Sequence, residues 1–106
     1  MDNVVVVLTT VADQGDAKRL SLQLVQRGFA ACVQIDGPVE SCYSWEGKLE
    51  TTAEYRLTIK TVSDKWDALE AWLLEHHPYD QPQLIALPAT HVTGGYANWV
   101  RQQTAS

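Results

Sequence analysis

The chain has 106 residues, 45% of them hydrophobic and 20% charged, with a formal net charge of −5. That length implies one domain, residues 1–106, whose small core would gain from burying surface against another chain. The acidic balance argues against a nucleic-acid partner, which calls for a basic face, and no stretch approaches the roughly eighteen apolar residues that read as a membrane span.

The run VVVVL at positions 4–8 is β-branched and reads as a buried central strand. Asp2 precedes it where a secretory signal would carry basic residues. Asp13 is the expected N-cap of a first helix, with Asp16 in its first turn, Ala17, Leu20 and Leu24 at helical spacing, and Gly28 closing it. A second strand starts near Ala30 and carries a bulge or bend at Gly37-Pro38. Glu46-Gly47 signals a tight turn, and a third strand runs from Lys48 to about Val62. In that strand Leu49, Thr51, Ala53, Tyr55, Leu57, Ile59 and Thr61 alternate with Glu50, Thr52, Glu54, Arg56, Thr58 and Lys60, the period of two of a half-buried strand. Ser63 or Asp64 is expected to cap a second helix that turns Trp66, Leu69, Trp72 and Leu73 inward and stops before Pro78. Residues 77–82 form a stiff connector, Leu84 to Leu87 a short fourth strand stopped by Pro88, Gly94-Gly95 a hinge, and Tyr96 to Gln103 a last short helix.

The order β-α-β-β-α-β is that of an α+β, ferredoxin-like sandwich with an extended hairpin between its second and third strands. Both crossovers should be right-handed, placing two helices on one face of a four-stranded antiparallel sheet. About fifteen residues per hairpin arm at ~3.3 Å each make a ribbon of roughly 50 Å. A domain of this size is about 35 Å across. The ribbon therefore overhangs, and exposed strand edges invite another chain. An oligomer with its function between subunits is expected.

Three sets of side chains carry candidate chemistry. His76 and His77 offer imidazoles, which suit copper and zinc. Neighbours on a helix diverge by about 100°, so the alternative is that His76 faces the helix C-terminal dipole and His77 hydrogen-bonds the connector. Cys32 offers a thiolate for soft metals, or a small hydrophobe for the core; Cys42 is the weaker candidate. The two cysteines lie ten apart on one strand, about 33 Å if straight, too far to bridge. Free thiols suit the cytoplasm. Tyr43, Trp45, Glu54, Lys60, Tyr79 and Trp99 form a mixed aromatic and charged set that either lines an intersubunit cleft for a small ligand or cements the interface. Glu54 and Lys60 stand about 20 Å apart along one strand, so each needs its own partner. No GxSxG, P-loop or HExxH motif is present, and an enzyme is not expected.

Ala30-Ala31-Cys32-Val33, the set Ser41, Tyr43, Trp45, Glu46, Gly47 and Lys48 around the turn, Glu54, Lys60-Thr61, His76-His77-Pro78-Tyr79, Pro82, Tyr96 and Trp99 together resemble the CutA family of divalent-cation tolerance proteins. The resemblance runs from Val4 to Val100, and it is the order and spacing of the motifs that is specific. It implies a cytoplasmic homotrimer of ferredoxin-like subunits, PII-like in architecture, that takes part in the response to metal ions. Cu²⁺ or another divalent ion is the implied ligand, with none required for folding. Some relatives pair a cysteine at the end of strand one with the two histidines as copper ligands; here that position is Thr9. The rivals are a PII-like trimer sensing a small molecule, disfavoured by the tightness of the hairpin turn, and a structural trimeric interaction module.

Overall fold

The computed structural model describes residues 3–105. In chain order they form β1 (Val4–Val11), α1 (Gln14–Gln26), β2 (Cys32–Trp45), β3 (Lys48–Val62), a 3-10 turn (Ser63–Lys65), α2 (Trp66–His76), β4 (Ile85–Pro88) and α3 (Gly94–Thr104). The four strands make one antiparallel sheet in the order β2-β3-β1-β4. The ferredoxin-like α+β reading holds, with α3 as an additional helix.

Local chemistry sets each boundary. The Asp13 carboxylate accepts the Gly15 and Asp16 amides and so starts α1. At the other end of α1 Gly28 takes φ 75° and its amide bonds the Val25 carbonyl. The second helix departs from expectation. Neither Ser63 nor Asp64 caps it; a 3-10 turn intervenes, and Lys65 precedes α2 without a side-chain cap bond. His77 then adopts φ −69° and ψ 138°, the extended conformation that a following proline imposes. Gly94-Gly95 is no hinge but the first turn of α3.

Parity along the strands sorts side chains onto two faces. Val5, Val7 and Val11 of β1, with Leu57 and Ile59 of β3, pack against Ala17, Leu20 and Leu24 of α1 and Leu69, Trp72 and Leu73 of α2. Val4 and Val62 face the other way and meet Ala97 and Val100 of α3, which covers one end of the second face.

The hairpin extends well beyond this core. Trp45 pairs with Lys48 across a two-residue turn in which Glu46 and Gly47 have φ 51° and 78°, the mirror-image turn that matches strand twist. The bulge falls between Asp36 and Val39 as expected. There Gly37 (φ 151°) lies so close to β3 that an added Cβ would sit 2.9 Å from the Glu54 carbonyl oxygen. Pairing of β1 with β3 stops at Val11–Tyr55, so residues 48–54 of β3 are bonded on the β2 side alone. The subunit is accordingly elongated, 45 × 25 × 22 Å. The alternation in β3 is core-facing only in its second half. Leu57, Ile59 and Thr61 are buried, whereas Leu49 near the tip is 91% exposed.

Candidate functional site

The overhang and the α2–β4 connector enclose a cleft of about 690 Å³. The hairpin contributes Ser41, Cys42, Tyr43, Trp45 and Glu54, the end of β1 contributes Thr10, and the connector contributes Tyr79, Asp80, Gln81 and Gln83. Glu54 anchors this arrangement. It is 8% exposed, and the Tyr79 hydroxyl donates to its Oε2 at 2.7 Å. Burial by itself would raise the Glu54 carboxyl, but hydrogen bonds from Ser41, Tyr79 and Thr10, with His77 nearby, hold it below the usual carboxylate range. The Tyr79 hydroxyl is pushed far above the ordinary phenol range by burial and by the carboxylate it serves, so it remains a donor.

Of the six side chains grouped from sequence, four therefore converge: Tyr43, Trp45, Glu54 and Tyr79 line one cleft within a single subunit. Lys60 and Trp99 lie elsewhere. The Lys60 ammonium donates to Gln34, and the Trp99 ring packs on Tyr96 of α3 with centroids 5.6 Å apart. Thr10, Ser41, Asp80, Gln81 and Gln83 were not anticipated as lining. Thr10 and Ser41 reach the site only because β1 ends beside Glu54 and because the bulge resets the register of β2.

The histidines have different jobs. The Tyr79 amide donates to His77 Nδ1 at 3.1 Å, so in neutral imidazole the proton sits on Nε2, which donates to Thr9 Oγ1 at 3.0 Å. Both His77 nitrogens are committed, and the ring is 8% exposed. Burial pushes its pKa down, against the opposing pull of the Thr10 backbone, Asp16 and Glu54. His76 Nδ1 donates to the Trp72 carbonyl at 2.8 Å while the ring stacks on Trp72 at 4.4 Å. That leaves the imidazole lone pair on His76 Nε2. Cys32 pairs with Lys60, on the face that carries Val62 and α3, whereas Thr9 and His77 meet on the face that carries Val5 and Val7. The sheet stands between the thiol and the imidazoles. Among the described residues no three His, Cys, Asp or Glu side chains gather closely enough to hold a metal ion. Both cysteines are free thiols.

Residues 5–103 match the family model described as CutA1 divalent ion tolerance protein. The chain belongs to the CutA1 divalent ion tolerance family. The divalent-cation tolerance protein CutA of Yersinia pestis (strain Pestoides F) is 38% identical over 98 residues, 92% of this chain and 82% of that protein. Among solved structures, CutA1 from Oryza sativa superposes with a TM-score of 0.95 at 38% identity, covering 98% of this chain and 95% of that one. CutA1 from Ehrlichia chaffeensis gives 0.94 at 29% identity, with 100% and 99% covered. The family relation thus embraces the elements that build the cleft as well as both histidines.

Proposed function

We propose that this chain is a homotrimeric, cytoplasmic divalent-cation tolerance protein that binds Cu²⁺, or a similar divalent ion, weakly through His76. The observation that carries the reading is the family relation itself, which spans 92% of the chain at 38% identity to a relative named for divalent-cation tolerance. Two physical features support the finer statements. Leu49, Trp45 and Tyr43 are 91%, 54% and 43% exposed on a hairpin whose third-strand edge is unpaired on one side, an arrangement that calls for a neighbouring subunit. The His76 Nε2 lone pair suits a borderline metal such as Cu²⁺, and one imidazole per subunit accounts for weak binding. Free thiols at Cys32 and Cys42 favour a reducing compartment. No catalytic step is assigned to the protein.

Calorimetric titration with Cu²⁺ tests the metal assignment. His76→Gln should abolish the binding seen with the wild-type protein, and His77→Gln should disturb it only through stability. Unchanged binding in His76→Gln would remove the histidine site. A second reading, a trimer that senses a small molecule in the manner of PII proteins, is favoured by the cleft around Glu54.

A further inference from the structure

The cleft around Glu54 has a charge bias that restricts what can enter it. Among the described residues its lining includes two carboxylates, Glu54 and Asp80, and no lysine, arginine or histidine. Lys60, the base grouped with Glu54 on sequence grounds, is turned away to Gln34. The Glu54 carboxylate is nine-tenths buried at the base of the cleft. An ionised carboxylate has roughly four lone-pair positions. The Tyr79 hydroxyl uses one of them, on Oε2. Beside it stand two aromatic side chains that are exposed within the subunit, Tyr43 and Trp45. A phosphate or carboxylate ligand would meet net repulsion here. A hard divalent ion such as Ca²⁺ would need an oxygen cage of six or more ligands, and among the described residues no three His, Cys, Asp or Glu side chains gather to begin one. An organic ammonium ion needs less: one unscreened carboxylate and one or two ring faces.

We propose that the Glu54 cleft is a binding site for a small organic ammonium ion with an apolar substituent. The charged nitrogen sits against Glu54, and the apolar body lies on Tyr43 and Trp45. Tyr79 positions the carboxylate by donating its hydroxyl to Oε2. The volume of about 690 Å³ is that of a site for a molecule of metabolite size. This assignment deepens the small-molecule reading of the same cleft and is independent of metal binding at His76.

The test uses the full-length protein in its native assembly and four probes that share a phenyl group: phenethylammonium, benzyltrimethylammonium, neutral 2-phenylethanol and anionic 3-phenylpropionate. Binding is read from the indole N–H resonance of Trp45, assigned with Trp45→Phe. Both ammonium probes should shift that resonance saturably, and the neutral and anionic probes should not. Glu54→Gln should weaken ammonium binding about ten- to a hundredfold, the loss of a charge-assisted contact. Trp45→Ala, which lacks the reporter and is therefore titrated by calorimetry alongside wild type, should weaken it about two- to fivefold, the loss of one ring face. Should Glu54→Gln fail to fold, Asp80→Asn at the exposed rim still reports the charge requirement by a smaller loss in affinity. His76→Gln should leave ammonium binding intact while removing the Cu²⁺ signal, which separates this site from the metal reading. Equal binding of phenethylammonium and 3-phenylpropionate would overturn the proposal. So would full affinity in Glu54→Gln, or no binding by any probe, the result expected if a neighbouring subunit fills the cleft.

Discussion

Replacing Tyr79 with phenylalanine isolates the contact on which the cleft depends. The substitution removes the hydroxyl that donates to Glu54 Oε2 at 2.7 Å and keeps the ring, which lies 5.1 Å from the His77 ring. Glu54 is 8% exposed, so bulk water cannot readily replace the lost donor. A hydrogen bond to a charged group contributes about 1.5–3 kcal/mol; with Ser41 and Thr10 still donating, the expected loss lies near the lower end, about 1.5–2 kcal/mol. The pH dependence follows from the depressed carboxyl. A group that titrates lower in the folded than in the unfolded state contributes its stability fully above the unfolded value, about 4.3 for Glu, and loses it as pH falls through the folded value. Wild type and Tyr79→Phe should therefore differ most near neutrality and converge in acid. Urea unfolding at one fixed protomer concentration provides the measurement, since the stability of an oligomer depends on concentration. In a Glu54→Gln background the same change should cost less. A neutral-pH difference below about 0.5 kcal/mol, within the range of ordinary surface substitutions, would refute the reasoning, as would a gap that widens on acidification.

Thr9→Val should leave the His77 Nε2 proton buried without its acceptor and cost about 1–3 kcal/mol, read by the same unfolding assay. Thr9→Cys would place a thiol beside His77 and should raise Cu(I) affinity measured by competition with a chromophoric chelator, because thiolate is the softer ligand; no gain would show that the strand-one position cannot recruit the histidine. Cu²⁺ binding at His76 should weaken in acid, since a ligating imidazole must give up its proton to the solvent before it can hold the metal. Both Cys32 and Cys42 should react with a thiol reagent after unfolding without reductant, and a disulfide found by peptide mapping would contradict their separation along β2.

Much of this architecture is written locally in the chain. The Asp13 cap, the Gly28 stop, the break before Pro78 and the tight turn at Glu46-Gly47 each follow from one or two residues whose backbone preferences leave few alternatives. The start of α2 was less legible, because Ser63 and Asp64 have capping chemistry that the chain does not use as it leaves β3 through a 3-10 turn. Gly94-Gly95 misled for the converse reason: two poor helix formers open α3, where packing of Ala97 and Val100 on Val4 and Val62 outweighs propensity. For the site, residue type picked out Tyr43, Trp45, Glu54 and Tyr79, but only three-dimensional placement shows that Thr10, Ser41 and Asp80 line the same cleft of the subunit while Lys60 and Trp99 stand apart from it. Within one subunit that cleft is acidic, and the base expected of an intersubunit cleft is not among its lining residues. The histidines divide likewise through geometry. The sequence HHP gives no sign that one ring is tied to Thr9, sixty-eight residues away, while its neighbour keeps a free lone pair.

Sedimentation equilibrium at micromolar protomer concentration bears most directly on the central claim, that the overhanging hairpin is half of an interface. The protein should sediment as a single species of three times 11.8 kDa. Charged replacements at the tip, Leu49→Lys with Trp45→Glu, should shift it toward smaller species without unfolding the core, since neither residue belongs to it. A wild-type species of 11.8 kDa that retains the folded hairpin would contradict the account.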